Sequence, residues 1–238
     1  MSVAVWDERA KLGARAGTDD LIAKDLEQWA LLGALHDVPL GKRVLEIGCG
    51  RGDTARLVAK HFPDMVAVDT SPAMIREAYR EEPDIDFRVG DLYSITGEWD
   101  CIYTQRCLIN VSDQMRAFEV IADHLAPGGR YLSCECSQSG LDAINRLRAI
   151  VGLPAIEPPY DWHRYLRDDE LQNVKCLRLV ECREFSSTYY YLSRVVNARL
   201  AADRGEEPDY NDPINRLALE LPSEGPYAQT RLWIWEKP

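Results

Sequence analysis

Three observations predict an α/β fold built on a doubly wound, mostly parallel sheet. Short apolar runs alternate with stretches of helical periodicity through the middle of the chain. The first run is followed at once by three alternating glycines and a helical pattern. The second and third runs each end in an aspartate. In a sheet of this kind both faces are covered by helices, and ligands bind outside the carboxyl ends of the strands. Functional groups are therefore sought where the apolar runs stop.

Residues 1–38 read as a helical arm or lid before a main domain over residues 39–238. Thr18 or Asp19 is a candidate helix cap, and Leu21, Ile22, Leu26, Trp29, Ala30 and Leu32 would form the apolar face that follows. Residues 44–53 read Val-Leu-Glu-Ile-Gly-Cys-Gly-Arg-Gly-Asp. Val44, Leu45 and Ile47 suit a buried strand, the glycines a sharp turn close to a ligand, and Asp53 to His61 a helix. A dinucleotide turn would need a third glycine at the place Asp53 occupies, where a carboxylate repels pyrophosphate. The second strand runs through Val68 to Asp69, and Ser71 and Pro72 open a helix with Met74 in its first turn. The third ends at Asp91, the fourth begins near Asp100, and a fifth follows Gly129 after an amphipathic helix carrying Phe118 and Ile121.

The fourth and fifth strand ends offer Arg106, Asn110, Glu135 and Gln138 as polar candidates. A helix follows with Leu141 and Ile144 inward and with Asn145 and Arg148 on another face. Next comes an aromatic loop, Pro-Pro-Tyr-Asp-Trp-His-Arg-Tyr over residues 158–165, suited to walling a pocket. A sixth strand is expected over residues 177–185 and the last over 230–236. The intervening residues 186–229 are too long for a bare loop and are read as an inserted helical substrate cap, with a dimer surface as a further role.

Composition narrows the function classes. The chain has 238 residues, a net charge of −11 and no long basic run, which argues against a nucleic-acid partner. Seven scattered cysteines read as reduced thiols, and the first residues lack the basic and apolar segments of a signal peptide. No apolar stretch approaches the ~20 residues of a membrane span. A cytoplasmic protein without membrane contact, and with a homodimer as its one candidate assembly, is expected.

The spacing Glu46-x-Gly48-x-Gly50-x-Gly52 closely resembles the first motif of class I S-adenosylmethionine methyltransferases, which have a Rossmann-like fold. Asp69, Asp91, the fourth strand and the Leu-Ala-Pro-Gly-Gly turn over 125–129 follow in the family's order and spacing. The resemblance implies a seven-stranded sheet with an antiparallel last strand. It also implies S-adenosylmethionine as cofactor, held by Glu46, Gly48 and Gly50, by Asp69 with Thr70 at the ribose, and by Asp91 with Leu92 at the adenine. Met74, Arg106 and the arm residue Trp6 are further contacts in that reading, with Arg9 beside Trp6 as a second lid candidate. Met74 reads equally well as core, and Trp6 as cover for an apolar surface.

The acceptor is expected to be a small molecule. O-methylation of a sugar, polysaccharide precursor or secondary metabolite is favoured, because the motif used for nucleobase and glutamine methylation is missing at the fourth strand end. N-methylation of an amino sugar or small amine, or a non-catalytic cofactor-binding partner, are the alternatives. His163 alone of four histidines lies in a loop beyond a strand end, making it the candidate general base. Arg106, Arg148 and Arg194 together suit an acidic group on the acceptor, and Asn110, Gln138 and Tyr189 complete the expected acceptor contacts. Cys134 and Cys136 lack a third soft ligand at metal spacing and read as core thiols, with no metal expected.

Overall fold

The computed structural model describes residues 3–39 and 41–238; the first two residues of the expected arm and Leu40 lie outside them. Seven strands form one sheet in the order β3-β2-β1-β4-β5-β7-β6. They are β1 (Val44–Ile47), β2 (Val66–Asp69), β3 (Asp86–Val89), β4 (Trp99–Gln105), β5 (Leu125–Cys136), β6 (Arg178–Arg183) and β7 (Thr230–Glu236). β1 pairs in parallel with both β2 and β4, so the winding reverses between β1 and β4 and a crevice opens at their carboxyl ends. β7 is antiparallel to both β5 and β6, as the resemblance implied. Its side chains from Thr230 to Trp235 are all buried. Trp233 and Trp235 each stabilise the core by about 2–3 kcal/mol on apolar area alone.

The helices are α1 (Val3–Arg9), α2 (Leu21–Leu35), α3 (Ala55–Val58), α4 (Pro72–Glu81), α5 (Gln114–His124) and α6 (Gln138–Ile150), with the short α7 (Asp168–Leu171) before β6. Between β6 and β7 lie α8 (Ser187–Tyr191), a wide π turn over Leu192–Asn197, α9 (Ala198–Arg204) and α10 (Pro213–Leu217). No described helix is long and apolar enough to cross a membrane.

Two local expectations change. The cap of α2 is Asp20, whose carboxylate accepts from Ala23 N at 3.0 Å, while Thr18 supports Asp20 N. The buried stripe of that helix is Ala23, Glu27, Leu31, Ala34 and Leu35, and Trp29 is 60% exposed. The helix after the glycine turn is also shorter than Asp53 to His61, with only Ala55–Val58 in regular α conformation.

α4 carries a double cap. Ser71 Oγ accepts from Met74 N, and Asp7 of α1 accepts both from Ser71 Oγ (2.6 Å) and from Ala73 N (3.2 Å). These bonds hold the Asp7 carboxyl below its usual range, and they pin the arm to the helix that follows β2.

Candidate active site

A cavity of about 550 Å³ lies over the carboxyl ends of β1, β2, β4 and β5. One side is the sheet. Gly48 and Cys49 donate their backbone N–H groups to Val68 O, which sets the turn against β2. Gly48 has φ +78°, and a Cβ there would stand 2.6 Å from Cys107 Sγ, so this glycine serves a close protein approach. Gly50 differs. A Cβ there would meet nothing within 4 Å, and the residue lines the cavity, so Gly50 is where backbone is bared to a ligand.

Asp69 closes this side. Its Oδ2 accepts from Gly50 N and its Oδ1 from Ser71 N, each at 2.8 Å. Burial raises its carboxyl above the usual range against those bonds. Glu46 lies deeper and accepts from Tyr103 OH at 2.9 Å. Burial pushes its carboxyl up to about 8, so it holds a proton at neutral pH. Asp91 accepts from Tyr93 N at 2.9 Å, and Thr70, Leu92 and Met74 complete this wall. Met74 is both things at once: it borders the cavity and packs with Ala10, Ala16 and Trp6 of the arm segment. Asp53 is paired with Lys24 and Arg56, which compensates the charge that argued against pyrophosphate while leaving its side chain at the helix entrance.

The other side is made of loops and the arm. Arg164 N donates to Ile109 O, and Gln114 Nε2 donates to both Leu108 O and Arg164 O, tying the aromatic loop to the turn after β4. Tyr160 stacks on Trp162 with centroids 4.5 Å apart, His163 meets Tyr160 edge-on at 4.9 Å, and Trp6 approaches Tyr160 at 6.5 Å. His163, Tyr160, Tyr165, Asn110, Trp6 and Arg9 all line the cavity. Both ring nitrogens of His163, Nε1 of Trp162 and Oδ1 of Asn110 are buried without a hydrogen-bond partner among the described residues. Burial, reinforced by the nearby Arg9, lowers the His163 imidazole to about 4, so it is neutral and able to accept a proton.

Several expected residues stand elsewhere. Gln138 donates to Asp142 on its own helix and does not reach the cavity. Tyr189 is buried, its hydroxyl donating to Asp20. Arg194 pairs with Asp20 at 2.5 Å and lies over the Tyr190 and Tyr210 rings. Arg148 donates to Pro154 O and to the Arg194 carbonyl. Neither arginine lines the cavity, and neither does any residue of 186–229, the expected substrate cap; that insertion packs behind α2 and α6. Arg106 does border the cavity, with φ +51°, but its Nε and Nη2 both donate to Glu27, at 2.8 and 2.5 Å. Its charge is thereby committed to the protein. Glu27, 1% exposed and also bonded by Gln105, is the main residue that sequence reasoning missed. An acid one turn from Ala23 and Leu31 was its only signal.

Comparison with known proteins agrees with this architecture. A family model described as a methyltransferase domain matches residues 20–184. Trans-aconitate 2-methyltransferase of Deinococcus radiodurans is 31% identical over 90 residues, which is 37% of this chain and 35% of that protein. Other curated relatives are likewise matched over about a third to a half of their length. Among solved structures, a chain of the complex between the Haloferax volcanii Trm112 methyltransferase activator and a methyltransferase superposes with TM-score 0.63 at 16% identity, covering 98% of this chain and 97% of that one. N-methyltransferase NodS of Bradyrhizobium japonicum, solved with S-adenosyl-L-homocysteine, superposes with TM-score 0.57 at 15% identity, covering 92% of this chain and 89% of that one.

Proposed function

The chain belongs to the methyltransferase-domain family, and on that premise we propose that it methylates a hydroxyl of a small molecule, of the class of a sugar, a polysaccharide precursor or a secondary metabolite. S-adenosylmethionine is the cofactor, and the sheet side of the cavity fits it. Asp69 and Asp91 are carboxylates without a cationic partner among the described residues, suited to ribose hydroxyls and an adenine amino group, and Gly50 offers bare backbone. When bound, the cofactor supplies an electrophilic methyl group on a sulfonium. The chain's own residues do the rest. The walls of the cavity hold the acceptor and exclude water from it.

The observation that carries the hydroxyl reading is His163, a neutral imidazole in the acceptor half whose two nitrogens have no hydrogen-bond partner among the described residues. A neutral hydroxyl gains from a general base as it attacks, and His163 takes that proton. Tyr160 and Trp162 keep the ring fixed by packing. The test is His163→Ala with a confirmed acceptor. Turnover is expected to fall by about 10²–10⁴ with affinity for S-adenosylhomocysteine unchanged. Full turnover would remove the base and favour an amine acceptor, which needs none.

A further inference from the structure

The cavity is electrically polarised in a way the fold does not require. Four cationic side chains border it, and three are spent: Lys24 on Asp53, Arg51 on Glu77 and Glu81, and Arg106 on Glu27. Arg9 is the fourth. Its Nε donates to Ala16 O at 2.6 Å and its Nη2 to Arg15 O at 3.0 Å, and no described carboxylate pairs with it. The undescribed residues are Met1, Ser2 and Leu40, none of which has an acidic side chain. The acids without counter-ions, Asp69 and Asp91, stand on the sheet side, where they suit a cationic cofactor.

Arg9 stands on the opposite side, on the arm. Trp6, one helical turn earlier, meets Tyr160 of the aromatic loop, and the Arg9 charge is felt at the His163 ring. Two backbone carbonyls orient the guanidinium through Nε and Nη2, leaving Nη1 and the second Nη2 hydrogen for a further partner. Those donors form the end of the planar fork, which matches two oxygens of one oxyanion.

Building on the methyltransferase reading above, we propose that the acceptor is an anion and that Arg9 of the N-terminal arm holds its carboxylate or phosphate, leaving the methylated hydroxyl at His163. The arm is then part of the specificity site as well as its cover. Of the three other arginines the sequence pointed to for this role, Arg106 and Arg194 are ion-paired, to Glu27 and Asp20, and Arg148 does not line the cavity. Arg9, half-buried at the cavity with only backbone carbonyls as hydrogen-bond partners among the described residues, has no carboxylate to offset its charge and retains donors for an anion.

The experiment is calorimetric titration of the full chain, saturated with S-adenosylhomocysteine, with succinate, with inorganic phosphate and with neutral succinamide at constant ionic strength. At least one anion is expected to bind saturably, and succinamide is not. Whichever of succinate and phosphate binds identifies the anion. Arg9→Gln should weaken that binding at least tenfold with S-adenosylhomocysteine affinity unchanged, and Arg9→Lys, which keeps the charge but loses the fork, should fall between. Binding of S-adenosylhomocysteine without anion binding, equal anion binding by Arg9→Gln, or equal binding of succinamide would each overturn the proposal. If S-adenosylhomocysteine itself did not bind, the reading of the whole cavity would fall and this inference with it.

Discussion

The two sides of the cavity satisfy their polar groups differently. On the sheet side, every carboxylate that faces the cavity already accepts a bond from this chain: Asp69 from Gly50 and Ser71, Asp91 from Tyr93, Glu46 from Tyr103. On the loop side, the His163 nitrogens and Asn110 Oδ1 have no hydrogen-bond partner among the described residues. Under the proposed function, the first wall is preorganised for the cofactor and the second is completed by the acceptor, which is how one scaffold could serve many acceptors.

The contrast can be broken most severely at the turn. Gly48→Ala places a Cβ against Cys107 in a backbone conformation L side chains avoid. It is expected to cost about 3 kcal/mol of stability and to abolish S-adenosylhomocysteine binding, read by thermal melting and calorimetry. An unaffected variant would mean the two walls are not rigidly joined at that contact.

The pH profile sharpens the contrast next. A base must be unprotonated, and burial takes the His163 imidazole from 6.5 down to about 4. The acidic limb of kcat/KM should therefore lie well below pH 6.5, approaching 4, with no loss between pH 8 and 6. A half-loss near 6.5 would place the titrating group outside this environment.

Asp69→Ala should weaken S-adenosylhomocysteine affinity by on the order of tenfold, about 1.4 kcal/mol, and leave anion binding on the loop side intact. Parallel losses of both ligands would show the walls to be coupled.

The smallest effect concerns Glu46. Its folded carboxyl is raised to about 8 from 4.5, so the folded state holds more protons than the unfolded one between those values. Its contribution to stability is full below pH 4.5 and is lost as pH rises towards 8. Glu46→Gln cannot ionise. The variant's melting temperature should gain on that of the parent as pH goes from 5 to 8, and a constant difference would mean that Glu46 stays ionised.

The same contrast explains what was legible in the sequence. The sheet side is built from contiguous segments whose geometry is dictated locally: a strand, a glycine turn and an acid at the next strand end. Gly50, Asp69 and Asp91 could be placed from spacing for that reason. His163 could be singled out because the other histidines fall on or beside flanking helices. The arginines could not be sorted, because their partners are distant in sequence. Asp20 lies 174 positions from Arg194, and Glu27 lies 79 from Arg106. Periodicity also misplaced the α2 face, since a buried acid such as Glu27 counts as polar until its guanidinium is seen. The insertion at 186–229 missed the cavity for a topological reason. It leaves from β6, the sheet's outer edge, with β7 and β5 between it and β4.

Asp7 has a consequence for the order in which the molecule is made. The arm leaves the ribosome ahead of its partners: the hydroxyl that bonds it, on Ser71, is 64 residues later, and its aromatic neighbour Tyr160 later still. It must therefore wait for both before it can dock. The sheet around the glycine turn can assemble while the arm is still searching. A tag or fusion placed before Val3 would act on this late docking step, and would be felt by the acceptor before the cofactor.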